Sequence, residues 1–110
     1  MEIQKRKEKD AMVISVKGRL DAVSSPDLEK ELTGLIGEGE TLLVLDFGEL
    51  DYISSAGLRT ILATTKKLKE KAGKLLLASL KEVVKEVFDI SGFSTIIPIH
   101  DTVESALSQI

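Results

Sequence analysis

The run at residues 41–47, TLLVLDF, constrains the fold more than any other feature of the sequence. It is almost continuously apolar, and it lies between Gly39 and Gly48. A strand with one solvated face alternates apolar and polar residues, whereas a central strand that is covered on both faces does not. The run therefore predicts a strand in the middle of a sheet with chain packed against both faces.

Strand and helix patterns alternate along the rest of the chain. The other strand patterns lie at residues 2–8, 12–16, 74–79 and 95–99. The helix patterns lie at residues 24–37, 54–72, 81–90 and from 101 onward. We expect the first two strands to form an antiparallel hairpin, and Pro98 marks the last strand as an edge strand. Residues 18–21 are expected to leave the sheet, and residues 48–53 to form a loop.

This order predicts an α/β fold in which residues 1–110 form one domain. The expected sheet is mixed, mostly parallel, and has four to five strands, with about four helices packed on it. Ser24 and Pro26 suit the start of the first helix, as a hydroxyl cap and as the first helical residue. Asp101 is expected to cap the last helix. In the third helix the predicted apolar face consists of Val83, Val84, Val87 and Phe88.

Composition excludes several classes of function. The chain has no cysteine and one histidine, His100, so disulfides, thiolate nucleophiles and most zinc sites are excluded. It also lacks a P-loop and a nucleophile–base pair, which indicates a binding protein rather than an enzyme, with no cofactor or metal. The net charge is −3 with both signs interspersed, and aromatic residues are few, so direct binding to nucleic acid is not expected.

Nothing in the sequence predicts a membrane segment or a signal peptide. The longest apolar runs are a few residues long, whereas a membrane span needs about 20. The N-terminal MEIQKRKEKD is charged and has no apolar run behind it. We therefore expect a cytoplasmic protein without a membrane partner.

The segment at residues 51–58, DYISSAGL, is the best candidate for a functional site. It places two hydroxyls where a loop meets the start of a helix, and backbone N–H groups and the helix dipole favour a negative group there. A phosphate on Ser55 would add a charge of about −1.5 to −2 without rearranging the fold. The alternative is that Ser54 or Ser55 is only a helix cap.

The sequence resembles the STAS family in several segments. The run YISSAGLRTIL is similar to the family signature of Asp-Ser-Ser/Thr-Gly-Leu, and GRLD, LLVLDFGELDYI and FDISGF match further family segments in the same order. The resemblance implies a bacterial anti-anti-sigma factor whose phosphoacceptor is Ser55. Ser54 replaces the usual acid and Ala56 a usual hydroxyl residue, so Ser54 stays an alternative acceptor.

The resemblance also implies partners. In its unphosphorylated form such a protein binds an anti-sigma factor serine kinase and so frees a sigma factor. Phosphorylation abolishes the complex, and a metal-dependent phosphatase of the PPM type restores it. The residues expected at the partner contact are Asp21, Ser54, Ser55, Gly57, Leu58, Arg59 and Thr60. STAS domains also occur as subunits of transport ATPases and of stress-signalling complexes, which is the alternative function.

Four residues have both a functional and a structural interpretation. The Asp21 side chain could form a turn by hydrogen bonding to the nearby backbone, and this role fits the sequence as well as partner binding does. Leu58 points to the core or to a partner, and Arg59 is a solvated surface residue or a contact residue. Asp46 ends the central strand, as the phosphoacceptor of response regulators does, but no acidic pair follows the first strand. We therefore expect Asp46 to anchor a loop.

Overall fold

A computed structural model describes residues 1–110 and confirms the predicted α/β fold. The strands are β1 (Glu2–Glu8), β2 (Ala11–Leu20), β3 (Leu42–Asp46), β4 (Leu50–Ile53), β5 (Lys74–Ala78) and β6 (Ile99–His100). The helices are α1 (Ser25–Gly37), α2 (Ser55–Glu70), α3 (Glu82–Ser91) and α4 (Val103–Leu107), with a short 3₁₀ turn at Phe93–Thr95. None of the helices combines the length and the apolar content that crossing a bilayer requires.

The sheet is mixed and mostly parallel, as predicted. Its strand order is β1-β2-β3-β5-β6, and β4 pairs separately with β2. Only β1 is antiparallel to its neighbour. The sheet has six strands, one more than the upper end of the expected range.

The additional strand exists because β2 is longer than predicted. β3 pairs only with Met12–Ser15 of β2, so the C-terminal part of β2 is left with unpaired backbone groups. Residues 50–53 pair with that part, from Gly18 to Leu20, after a register shift between Gly18 and Arg19. The predictions that 18–21 leave the sheet and that 48–53 form a loop were therefore wrong for most of these residues.

The central strand is covered on both faces, as its apolar run predicts. Leu43 and Leu45 of β3 belong to the larger core cluster, which also contains buried residues of α1, α2 and α3. Val44 belongs to a smaller cluster on the opposite face, together with Val103 and Ala106 of α4. Three helices thus cover one face of the sheet, and one short helix covers part of the other.

The C-terminal region differs from its predicted structure in detail. The residues predicted as a strand at 95–99 begin at the end of the 3₁₀ turn and continue through an irregular segment. Only the two-residue strand β6 follows, and it lies at the sheet edge. Thr102, rather than Asp101, caps α4, because its Oγ1 accepts a hydrogen bond of 3.0 Å from the Ser105 N–H. Val83, predicted on the buried face of α3, is exposed.

Candidate functional site

The pairing of β2 with β4 brings two of the predicted site segments together. The Ser54 N–H donates a hydrogen bond of 2.9 Å to the Leu20 carbonyl oxygen. Asp21 follows Leu20 and Ser55 follows Ser54, so both residues lie at the same end of the sheet. β4 continues directly into α2, and the positive end of the helix dipole therefore lies at this position.

The two serines at the start of α2 have different environments. Ser54 is the N-cap, with extended backbone angles, and its Oγ accepts a hydrogen bond of 3.4 Å from the Gly57 N–H. Its carbonyl accepts the hydrogen bond of 3.0 Å from the Leu58 N–H. Ser55 is the first helical residue and is exposed, and its hydroxyl makes no hydrogen bond within the chain. Of the two hydroxyls, the one on Ser55 is thus the more accessible.

Asp21 organises the turn between β2 and α1. Its Oδ1 accepts hydrogen bonds from the Val23 N–H at 3.0 Å and the Ser24 N–H at 3.1 Å. The Ser24 N–H is the largest cause of the lowered pKa of this carboxyl, and Val23 and Arg19 contribute to it. The turn-forming role considered for Asp21 is confirmed.

Ser24 does not cap α1 as predicted. Its Oγ instead accepts a hydrogen bond from the Asp21 N–H at 3.0 Å and donates one to the Arg19 carbonyl at 2.8 Å. Its backbone carbonyl accepts the first bonds of the helix. The hydroxyl is therefore used to close the turn, and it is not available to the helix N–H groups.

The remaining predicted contact residues lie on the first turns of α2. Gly57 is packed so closely that a Cβ there would lie 2.8 Å from Ile53 Cγ1 and 2.9 Å from Leu20 Cγ. Leu58 and Thr60 are only 7% and 8% exposed, so both side chains belong mainly to the interior. Arg59 is exposed. It lies beside a shallow depression of about 350 Å³ between the start of α1 and α2, lined by Ala22, Ser25, Pro26, Glu29, Ala56, Arg59, Thr60 and Ala63.

A family comparison identifies the family to which this domain belongs. The STAS domain model matches residues 2–106. The chain belongs to the STAS domain family. Among its relatives, BtrV of Bordetella bronchiseptica, a proposed anti-sigma factor antagonist, is 45% identical over 98 residues, which are 88% of this chain and 84% of the relative. The anti-sigma-B factor antagonist of Bacillus subtilis is 34% identical over 95 residues, which are 86% and 85% of the two chains.

Solved structures of other proteins share the fold. A proposed anti-sigma factor antagonist of Thermotoga maritima superposes with a TM-score of 0.94 at 19% identity, over 98% of this chain and 93% of the other. The Bacillus cell fate determinant SpoIIAA in its phosphorylated form gives a TM-score of 0.77 at 23% identity, over 98% of both chains. At these identities the likeness concerns the fold alone.

Two features of this end of the STAS domain were not predicted from the sequence. Val23 is 88% exposed in the turn that Asp21 organises, and a large apolar residue between a turn-forming aspartate and a helix start is the signal that could have revealed it. The Arg19 guanidinium lies over the Tyr52 ring, 4.1 Å from its centroid. This pair depends on the register between β2 and β4, which no local pattern contains.

Asp46 has the anchoring role that was expected of it. Its Oδ1 accepts a hydrogen bond of 3.0 Å from the Gly48 N–H, and its Oδ2 accepts one of 3.3 Å from the Ser15 hydroxyl. The carboxylate thereby fixes the turn that connects β3 to β4. It positions β4, which leads directly into Ser54.

Proposed function

We propose that this protein is an anti-sigma factor antagonist that phosphorylation of Ser55 switches off. In the unphosphorylated form it binds an anti-sigma factor serine kinase and frees a sigma factor in the cytoplasm. The kinase then phosphorylates Ser55 and releases the antagonist, and a metal-dependent phosphatase of the PPM type restores it. The protein acts by binding and catalyses no reaction itself.

The observation that carries the proposal is the division of roles between the two serines. Ser54 holds the start of α2 through its hydroxyl, whereas the Ser55 hydroxyl is exposed and makes no bond within the chain. A kinase needs a hydroxyl that can enter its active site without unfolding the substrate. Ser55 meets this requirement and also leaves the cap intact. The names of the two curated relatives support the same biological role.

The position of Ser55 explains how one phosphate could change binding without changing the fold. At the first residue of α2 the phosphate oxygens would meet free backbone N–H groups and the positive end of the helix dipole. The folded state therefore tolerates the new charge. A partner packed against the same surface would have to desolvate a group of charge about −1.5 to −2, which is costly. A penalty of about 3 kcal/mol weakens binding more than a hundredfold.

The proposal is tested by incubating the protein with ATP and the serine kinase of the anti-sigma type encoded in the same genome, followed by intact-mass analysis and peptide mapping. We expect one phosphate on Ser55 of the wild type and none on Ser55→Ala. Ser54→Ala is the matched control, because it removes the neighbouring hydroxyl and should still be phosphorylated at Ser55.

Binding of the same kinase is then measured by calorimetry before and after phosphorylation. The wild type should bind, and the phosphorylated protein should bind at least about a hundredfold more weakly. A phosphate on Ser54 instead would assign the alternative acceptor. If the kinase neither binds nor phosphorylates the protein, the antagonist function is refuted and the adaptor function of other STAS domains gains support.

A further inference from the structure

Helix α3 has two apolar faces, of which only one packs on the core. Val84 and Phe88 are buried in the domain. Val83 is 58% exposed and Ile90 is 80% exposed, and Val87 lies between them at the edge of the core. The positions 83, 87 and 90 follow the spacing at which a helix presents one side to a groove. We call Val83, Val87 and Ile90 the α3 stripe.

A row of carboxylates runs along one side of the α3 stripe. Glu82, Glu86 and Asp89 each precede a stripe residue by one position, so they form the adjacent row on the helix surface. All three side chains are exposed. None of them lies within 4.0 Å of a lysine or arginine nitrogen, since the ion pairs of the domain all involve other acids. The stripe is therefore bordered by carboxylates that form no ion pair within the chain.

Both ends of α3 are fixed, so the stripe is a preformed surface. At the start, the Lys81 ammonium donates a hydrogen bond of 2.5 Å to Asp51 Oδ1 on β4. The resulting ion pair holds the pKa of Asp51 below its ordinary value. At the end, Gly92 adopts a left-handed φ of 81° and its N–H bonds the Asp89 carbonyl. A partner would not need to order this helix on binding, which removes one cost of association.

We propose that the α3 stripe is a second contact for the anti-sigma factor, which covers it with an apolar groove edged by lysine or arginine. The inference rests on the function proposed above. Charge complementarity identifies the kind of surface that fits: the groove buries Val83 and Ile90, and its cations pair with the carboxylate row. The Lys81–Asp51 ion pair joins α3 to β4, the strand that continues to Ser55, so the two contacts are structurally linked.

A second copy of this chain is a poorer fit for the same stripe. A two-fold contact uses the same patch on both subunits. Glu82, Glu86 and Asp89 of one copy would then border the same buried area as their equivalents in the other. Like charges placed together at an interface oppose association.

The test uses the full-length protein and the anti-sigma serine kinase from the same genome, with binding measured by calorimetry. The double variant Val83→Ser/Ile90→Ser should bind roughly tenfold more weakly or worse, because apolar anchors in a groove carry much of the binding energy. Glu86→Gln should bind more weakly at low salt and show a smaller salt dependence. Ile110→Ser is the matched control, since it removes an exposed isoleucine at the C-terminus and should leave the Kd within about twofold.

The outcomes separate this inference from the proposed function. If the wild type binds and is weakened by phosphorylation, but Val83→Ser/Ile90→Ser and Glu86→Gln bind like the wild type, the second contact is refuted and the switch at Ser55 stands. If the wild type does not bind, both proposals are refuted. Sedimentation tests whether a second copy of the chain occupies the α3 stripe. If the wild type is a dimer and the double variant is a monomer, a second copy is the occupant and the anti-sigma contact is refuted.

Discussion

The close packing around Gly57 predicts that Gly57→Ala destabilises the domain. In a helix interior this change normally stabilises by about 1 kcal/mol, because alanine loses less backbone entropy than glycine. Here the new Cβ would lie 2.8 Å from Ile53 Cγ1, 2.9 Å from Leu20 Cγ and 3.1 Å from the Leu20 carbonyl oxygen. Carbon atoms in contact normally lie about 3.5 to 4.0 Å apart. The first turn of α2 or the end of β2 must therefore move.

The magnitude follows from these opposing effects. Overpacking of a well-packed site costs about 1 to 3 kcal/mol, and because the new Cβ would overlap two side chains and one backbone oxygen, we place the cost here at about 2 to 3 kcal/mol, against a gain in helix propensity of about 1 kcal/mol. We expect a net loss of about 1 to 2 kcal/mol in the free energy of unfolding, which corresponds to a Tm lower by about 4 to 8 °C for a domain of this size.

Urea and thermal unfolding of wild type and Gly57→Ala measure this difference. Gly34→Ala is the matched control, because Gly34 lies in α1 and a Cβ there meets nothing within 4 Å. That variant should gain about 0.5 to 1 kcal/mol. A Gly57→Ala protein as stable as the wild type, or more stable, would refute the packing described for the start of α2.

Three further predictions concern stability. Ser54→Ala should lower the free energy of unfolding in urea by about 0.5 to 1 kcal/mol through loss of the cap. Ser55→Ala should change it by no more than about 0.5 kcal/mol, and equal losses would contradict the separate roles of the two hydroxyls. The lowered pKa of Asp21 stabilises the fold above the unfolded pKa of about 3.9, and this contribution disappears as the pH falls through the folded value. The urea midpoint of Asp21→Asn should therefore lie below that of the wild type at pH 6 and approach it as the pH falls through the folded pKa of Asp21, and a gap that persists in acid would exclude this cause. On α3, Phe88→Ala should lose about 3 to 5 kcal/mol and Val83→Ser about 0.5 kcal/mol or less, and comparable losses would mean that the outer face of the helix is packed.

Much of the fold was predictable because its signals are local. The apolar run of β3 and the Pro26 signal at the start of α1 each lie within a few consecutive residues. The spacing of apolar residues and the residues that start or end a helix are properties of such short segments. They can therefore be recognised without knowing which segments pack against each other. The family resemblance rests on short segments too, and the family comparison confirmed it.

The parts that were missed depend on distant segments. Residues 50–53 have an exposed middle and no strand pattern, and they form β4 only because β2 extends past the end of β3. The exposure of Val83 similarly depends on how α3 is rotated against the core. Neither an unpaired strand segment nor a helix rotation is encoded in the adjacent residues.

The sequence by itself determined the order of strands and helices apart from β4, the family, and a pair of serines at the start of a helix. Only the tertiary structure decided which serine caps the helix and which is exposed. The hydrogen bond from the Ser54 N–H to the Leu20 carbonyl holds Ser54 at the cap position and leaves Ser55 exposed as the first helical residue. The physical reason is that capping and exposure depend on where β2 and β4 end relative to one another, and strand register is a property of two segments more than 30 residues apart.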